Sequence, residues 1–268
     1  MTRFALFYQS VISDWNHGNA HFLRGLMRAL QARGHSVVCY EQVDNWSLTN
    51  LLQSNPRAIE DFSSAFPDLH YERYSLSGFD RWVDDRLAEA DIAIVHEWND
   101  PSVIKHIGES GVRAFFHDTH YRVVLDEAYR SSLGLENFEG ILAYSPSVAE
   151  RYCALGFRKV FVLHEAADTT VFKPEPVEKN TDVVFVGNYG DGDRSDELED
   201  FVIGLLALQY PRPHRLQLSA GGPPCTASTI CRTPSRDTHH SRLRGAGGRC
   251  LSDLPAMARH GSAVRGRA

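Results

Sequence analysis

The sequence predicts an α/β fold, and three observations support that prediction. Short apolar runs alternate with amphipathic stretches of helical length along residues 3–163. Five apolar runs end in clusters of histidine, carboxylate and amide side chains. A stretch rich in proline and charge at 172–181 then precedes one more strand, loop and helix. Because strand and helix alternation builds a parallel sheet with helices on both faces, we expect a Rossmann-like domain followed by the start of a second.

The first elements show the alternation clearly. An apolar run predicts a buried strand at Arg3–Tyr8, and apolar residues at helical spacing predict a helix at Gly18–Arg33. A strand at His35–Glu41 follows. The region Trp46–Phe66 is predicted to be helical, with an interruption before Pro56 because the residue preceding a proline disfavours helical backbone.

The same pattern continues to the linker. Further strands are predicted at Tyr71–Tyr74, Asp91–His96, Val112–His117, Gly140–Tyr144 and Lys159–Leu163. Further helices are predicted at Phe79–Ala90, Pro101–Ile107, Arg122–Leu133 and Ser147–Leu155. These elements are enough for a complete sheet domain with its own core.

The predicted organisation therefore has four parts. Residues 1–171 form an N-terminal Rossmann-like domain, and 172–181 form a linker. Residues 182–208 supply the first strand, loop and helix of a second domain. Residues 209–268 lack apolar periodicity and are expected to be an aberrant or disordered basic tail.

The composition of this tail differs from the rest of the chain. From Tyr210 onward there are ten arginines, no lysine, two acidic residues and six prolines. GC-rich DNA read out of frame encodes such a mixture, so we hypothesise a frame shift between about Leu205 and Gly222 that replaced the rest of the second domain. The alternative is a genuine disordered basic tail that binds an acidic partner.

Composition narrows the class of partner and the compartment. The net charge of -6 gives no general attraction to nucleic acid or to an anionic membrane, so we expect neither as a partner. No apolar stretch predicts a transmembrane segment or signal peptide, which predicts a cytoplasmic protein. Five cysteines without CxxC spacing do not predict a disulfide framework or a zinc site.

The polar strand endings outline a pocket, because ligands of open parallel sheets bind outside the carboxyl ends of the strands. The loop after the first strand carries His17, Gly18 and Asn19 ahead of a helix whose free N–H groups favour an anionic or polyhydroxy ligand. An ordinary loop with an asparagine cap is the alternative. After the fourth strand, Glu97 and Asp100 could support residues of the pocket or cap the next helix, and a helix cap explains Asp100 or Asn99 but not Glu97.

The run His117-Asp118-Thr119-His120 carries the residue types for general base catalysis. We take His117, Asp118 and His120 as candidate catalytic residues, with a structural hydrogen-bond cluster as the alternative. Histidines also bind metals, but spacing defines no third ligand, so no metal is predicted. In the loop that opens the second domain, the amides of Gly187 and Asn188 together with Arg194 are candidates for binding a diphosphate, and a plain loop with a helix cap is the alternative.

Several of these motifs together resemble a known family. They are SDWNHGNAHFLRGL, VHEWND, FFHDTH, HEAADTTVFKP and VGNYGDGDRSDELEDF, within residues 3–208. In this order they resemble bacterial glycosyltransferases of the GT-B type, particularly the spore-maturation (CgeB-like) group. HEAADTTVFKP is similar to the interdomain element of the retaining enzymes, with Asp168, Phe172 and Pro174 at matching positions.

The resemblance implies two Rossmann-like domains and transfer of a sugar from a nucleotide-sugar donor to a glycan, lipid or protein acceptor. It implies no cofactor and no obligatory metal. His17, Gly18, Asn19, Glu97, Glu165 and Asp168 would contact substrate, and Gly187, Asn188 and Arg194 would lie near the donor phosphates. No donor-binding motif follows Gln209, so the chain is expected to be impaired in transfer. A noncatalytic polyol- or nucleotide-binding α/β module is the alternative.

Overall fold

The computed structural model describes residues 1–15 and 17–174 in full. Beyond them it describes Pro176, Glu178, Asp196, Leu198 and Glu199 and the backbone of four strands. The chain divides into two compact units, Met1–Pro174 and Glu175–Ala268, and the division lies inside the predicted linker.

The first unit is built on a seven-stranded parallel sheet. Its strands are β1 (Arg3–Phe7), β2 (Ser36–Gln42), β3 (Tyr71–Tyr74), β4 (Ile92–His96), β5 (Ala114–Asp118), β6 (Gly140–Ala143) and β7 (Val160–Val162). Their order across the sheet is β3-β2-β1-β4-β5-β6-β7, and all neighbours run parallel. The direction of winding reverses between β1 and β4, which makes this a doubly wound Rossmann-like sheet, as predicted.

Helices cover both faces of this sheet. They are α1 (Asn19–Gln31), α2 (Trp46–Ser54), α3 (Ala58–Ala65), α4 (Phe79–Leu87), α5 (Pro101–Glu109), α6 (Arg122–Leu125), α7 (Glu127–Ser132) and α8 (Pro146–Ala154). Residues of α1 to α3 share one buried apolar cluster, and residues of α4, α5, α6 and α8 share the other. Successive strand residues enter the two clusters in turn, because side chains alternate across a strand. Leu6 and Phe7 show this on β1.

One predicted helix is wrong. The segment Arg122–Leu133 was expected to be continuous, but it forms α6 and α7, separated by Asp126 in extended conformation (φ -100°, ψ 100°). The Asp126 carboxylate accepts a hydrogen bond from the amide of Tyr129 and so caps α7. Aspartate favours such a cap over the helix interior, and this local preference outweighed the apolar periodicity.

The second unit contains a four-stranded sheet. Its strands are β8 (Val183–Val186), β9 (Arg215–Ser219), β10 (Ala227–Cys231) and β11 (Arg242–Arg244), in the order β11-β10-β9-β8. β8 and β9 run parallel, and the other neighbours run antiparallel. β8 agrees with the predicted strand at 182–186. The frame-shift hypothesis for the remaining tail stays a prediction.

The helices of the described part of the chain are too short or too polar to cross a lipid bilayer.

Candidate functional site

The candidate site lies at the carboxyl ends of the strands of the first unit, where β1 and β4 are neighbours. A doubly wound sheet leaves a crevice at this position, because the connections from the two strands leave on opposite faces. The β1–α1 loop contributes His17, Gly18 and Asn19, and the ends of β4 and β5 contribute Glu97 and His117. The tertiary structure thus brings together residues from three separate motifs.

Asn19 links the first motif to the other two. Its Nδ2 lies 2.9 Å from His96 Nε2 and 3.5 Å from Thr119 Oγ1, and the latter two atoms lie 3.0 Å apart. The cap position of α1 is Gly18 and no side chain caps the helix, so the alternative of an asparagine cap in this loop is not what the structure shows. Asn19, the first residue of α1, instead links the ends of β4 and β5.

His117 is completely buried and pairs with a residue that sequence reasoning missed. Its Nδ1 lies 2.7 Å from the Tyr8 hydroxyl. Its Nε2 is buried without a hydrogen-bond partner among the described residues. Burial lowers the pKa of His117 to about 4, so the ring is neutral at physiological pH. A neutral imidazole with one unpaired nitrogen can form a hydrogen bond with a ligand, but it is a weak base.

Glu97 and Asp118 form a buried acidic pair beside His117. Glu97 Oε1 accepts from the amide and hydroxyl of Thr119, both at 3.1 Å, while Oε2 is buried and has no hydrogen-bond partner among the described residues. Asp118 accepts from the Tyr152 hydroxyl at 2.5 Å and from the amide of His120 at 2.8 Å. Burial, then the charge of Asp118, raises the pKa of Glu97 to about 8. Glu97 is therefore largely protonated near neutral pH.

His120 lies at the rim of the same site and is half-buried. Its ring stacks on Tyr121 with centroids 4.3 Å apart, and its Nδ1 accepts from the amide of Arg122 at 3.2 Å. Because Nδ1 is an acceptor, a neutral ring carries its proton on Nε2. The three predicted catalytic residues are thus neighbours, with His117 and Asp118 buried and only His120 at the surface.

His17 is half-buried beside His96, and both of its ring nitrogens are buried without partners among the described residues. Burial is the main cause that lowers the pKa of His17. Gly18 adjoins open space, since a Cβ there would meet no described atom within 4 Å. The predicted substrate contact by this loop stays a prediction, and the geometry leaves room for it.

The two predicted residues after β7 differ in their surroundings. Glu165 is exposed and close enough to Tyr8 for its charge to be one of the causes, after burial, that raise the pKa of that phenol. Asp168 is only 7% exposed, and its carboxylate accepts from Arg28 at 3.2 Å and from the amide and hydroxyl of Thr170. Asp168 therefore holds its segment against α1. Its carboxylate already has hydrogen-bond partners within the protein, Arg28 and Thr170.

A buried acid and a buried base hold the β1–α1 loop in place. Glu41 accepts from the amides of Val11 and Ile12 at 2.7 and 3.2 Å. Arg24 donates to the carbonyls of the same two residues at 2.9 and 2.8 Å. The four hydrogen bonds satisfy both backbone polar groups of two buried residues, which fixes the loop that leads into His17.

Sequence reasoning missed four residues of the site: Tyr8, His96, Thr119 and Tyr152. His96 and Thr119 lie inside motifs that were recognised, so position in the motif was the available signal. Tyr8 and Tyr152 carried no local signal. The predicted donor-phosphate residues Gly187, Asn188 and Arg194 lie outside the described residues. Within the described part of the chain, no three histidine, cysteine or acidic side chains are grouped to bind a metal.

No protein-family model and no curated protein matches this sequence. Solved structures with a similar course of the chain include an α-glucosyltransferase in complex with UDP-glucose and DNA containing an abasic site. It is 13% identical with a TM-score of 0.48, over 82% of this chain and 57% of its own. S. aureus MnaA with UDP is 12% identical with a TM-score of 0.47, over 84% of this chain and 63% of its own. Acinetobacter baumannii MurG is 10% identical with a TM-score of 0.46, over 83% of this chain and 61% of its own. The chain thus spans less than two thirds of each, and likenesses this distant concern the fold and not its chemistry.

The prediction of no nucleic-acid partner is wrong as a deduction from net charge. Several of the similar structures are α-glucosyltransferases in complex with DNA. A net charge averages over the whole surface, whereas binding depends on the local distribution of charge. Neither the fold nor a charge of -6 therefore excludes a nucleic acid.

Proposed function

We propose that this chain is a GT-B-type glycosyltransferase of the spore-maturation (CgeB-like) kind, which transfers a sugar from a nucleotide-sugar donor to an acceptor. One observation carries the proposal. Buried polar atoms that have no partner among the described residues, on His17, Glu97 and His117, gather at the crevice between β1 and β4. Buried polar groups are normally satisfied, so such a group of orphan atoms indicates a polar ligand. The order of the five motifs supports the choice of family.

In this proposal the first unit binds the acceptor. Neutral imidazoles and a protonated carboxyl offer both donors and acceptors, which suits the hydroxyl groups of a sugar. Asn19, held by His96 and Thr119, positions the loop that borders the open space at Gly18. The acceptor is oriented by these groups, and the donor phosphates are contacted by Gly187, Asn188 and Arg194 of the second unit.

The burial of His117 and Asp118 favours a second candidate, a noncatalytic polyol- or nucleotide-binding module. Both side chains are 0% exposed, and a general base must reach the proton that it removes. Under the glycosyltransferase proposal, the ligand reaches these residues through His17 and His120 at the rim.

The test compares this chain with a version in which the reading frame of the tail is restored. A panel of nucleotide sugars is screened by thermal shift, and transfer is measured with the donors that bind. We expect donor binding and transfer from the restored version and little from the chain itself. In the restored version, N19A is expected to lower transfer about tenfold. The control N50A, at a half-buried asparagine whose amide bonds only its own helix, should leave transfer unchanged.

Absence of donor binding by both versions would overturn the proposal. Binding of a nucleotide or polyol without turnover by either version would support the noncatalytic module instead.

A further inference from the structure

Next to the site, a group of aromatic side chains surrounds an arginine at the carboxyl edge of the sheet. We call this group the aromatic wall: Trp98, His120, Tyr121, Arg122 and Tyr129. The guanidinium carbon of Arg122 lies 4.9 Å from the centroid of the Trp98 ring and 4.7 Å from that of Tyr129. Trp98 is 46% exposed and Tyr121 is 52% exposed. The wall thus presents apolar ring surface to solvent with a cation at its centre.

Arg122 has no carboxylate partner among the described residues. Arginines elsewhere in this unit do pair with acids, as Arg28 does with Asp68 and Arg86 with Glu72. Among the described residues, the side chain of Arg122 donates only to the Tyr129 hydroxyl at 3.3 Å, and its buried Nε has no partner there. A guanidinium placed over aromatic rings keeps its N–H fork available, and that fork matches carboxylate and phosphate oxygens.

The wall is continuous with the candidate site. The Tyr129 hydroxyl donates to the carbonyl of Glu97 at 3.5 Å, and the amide of His120 donates to Asp118 at 2.8 Å. The Arg122 charge acts on Glu97, where it opposes the rise in pKa that burial and Asp118 cause. A ligand in contact with the orphan atoms of Glu97 and His117 is therefore adjacent to Arg122.

We propose that the aromatic wall binds an acidic sugar, a saccharide ring that bears a carboxylate or a phosphate. The anionic group pairs with Arg122, the apolar face of the ring packs on Trp98, and the hydroxyl groups face the orphan polar atoms of the crevice. A neutral sugar offers Arg122 only uncharged hydroxyl acceptors, which bind a guanidinium less strongly than a carboxylate or a phosphate does. This inference deepens the proposed function and rests on it, since it names the acceptor class of the same site.

Saturation-transfer-difference NMR on the full chain tests the proposal without a transfer reaction. The probes are methyl β-glucuronide, glucose 6-phosphate, neutral methyl β-glucoside and uridine monophosphate. We expect R122Q to weaken binding of the acidic sugars about tenfold, the loss of one charge-assisted hydrogen bond. The matched control is R113Q, because Arg113 is exposed next to the amino end of β5, at the opposite edge of the sheet. R113Q should bind as the parent chain does.

Two further variants keep the test decisive if R122Q proves unstable. R122K preserves the charge without the fork and should bind the acidic sugars more tightly than R122Q. W98L should weaken all three sugars, the neutral one included. Loss of only the carboxylate probe or only the phosphate probe supports the proposal and identifies the anion.

Three results would overturn the inference. The first is equal binding of the acidic sugars by the parent chain and R122Q. The second is an equal loss of affinity in R122Q and R113Q. The third is binding of uridine monophosphate through Arg122 without binding of either acidic sugar. The outcome is separate from that of the donor screen. Binding of acidic sugars without any transfer by the frame-restored version refutes the proposed function alone. Transfer by that version to neutral acceptors only refutes this inference alone.

Discussion

The Tyr8 hydroxyl lies 2.7 Å from His117 Nδ1, although 109 residues separate the two in the chain. Tyr8 follows β1 and His117 belongs to β5, with β4 between them in the sheet. The hydrogen bond therefore joins segments from either side of β4, beside the atoms without partners, and it orients the ring of His117.

Removal of this hydroxyl tests how much the bond stabilises the fold. In Y8F, His117 Nδ1 stays buried and loses its partner, so we expect a loss of about 1–3 kcal/mol in the free energy of unfolding. Urea denaturation measures it. Y121F, at an exposed tyrosine, should change the stability by less than about 0.5 kcal/mol. Equal effects in the two variants would show that the bond contributes nothing.

The raised pKa of Glu97 predicts a pH dependence of stability. Glu97 holds its proton up to about pH 8 in the folded state, while in the unfolded chain it releases the proton near its ordinary pKa of 4.5. The folded state thus binds more protons between these values, and this group destabilises the fold progressively as pH rises through that window. E97Q stays neutral, so its stability relative to the parent chain should increase from pH 5 to pH 8. Urea denaturation at both pH values checks this, and a constant difference would contradict it.

The lowered pKa of His117 predicts the opposite pH dependence of stability, below neutral pH. Its pKa is about 4 when folded and near 6.5 when unfolded, so the unfolded state binds more protons between these values. The contribution of this residue to stability is therefore lost as pH falls from about 6.5 to about 4. H117N cannot titrate and should show a shallower decline than the parent chain. Thermal unfolding from pH 7 to pH 4.5 measures how the stability of each protein changes with pH. Parallel curves of stability against pH for H117N and the parent chain would refute the lowered pKa of His117.

Two glycines of the α1 region should respond differently to alanine. A Cβ on Gly25 would lie 2.9 Å from the Cβ of Asp168, whereas a Cβ on Gly18 would meet no described atom. G25A should push the Asp168 segment from α1 and cost about 1–3 kcal/mol. Urea denaturation measures this cost, and faster proteolytic cleavage near residue 168 would show that the segment has moved away from α1. G18A should change the free energy of unfolding by less than about 0.5 kcal/mol and should weaken ligand binding at the crevice. A destabilised G18A would contradict the open space next to Gly18.

Glu41 should be essential for the β1–α1 loop. E41A leaves the buried amides of Val11 and Ile12 without acceptors, and we expect a cost of about 2–4 kcal/mol. E150A, at an exposed position on α8, serves as the control and should be near neutral. If the two variants unfold at the same urea concentration, the loop is held by other contacts.

The local pattern was sufficient for most elements of the first unit. The alternation of Arg3–Tyr8 with Gly18–Arg33 predicted β1 and α1, because burial on one or two faces imposes a period on the sequence. The same reasoning failed at Asp126, where a side-chain cap divided a helix whose periodicity was continuous. Single capping residues act through specific hydrogen bonds, which apolar periodicity does not record.

The sequence by itself determined that polar groups would follow the strands of a parallel sheet, since both the period and the strand ends are local properties. Only the tertiary structure decided which of those groups meet. The order of strands places β1 between β2 and β4, and so brings Asn19 to His96 across 77 residues. It also buries His117 and Glu97, each with an atom that has no partner among the described residues, and this burial lowers the pKa of His117 and raises that of Glu97. The physical reason is that strand order and depth of burial arise from packing between distant segments, while periodicity arises within one.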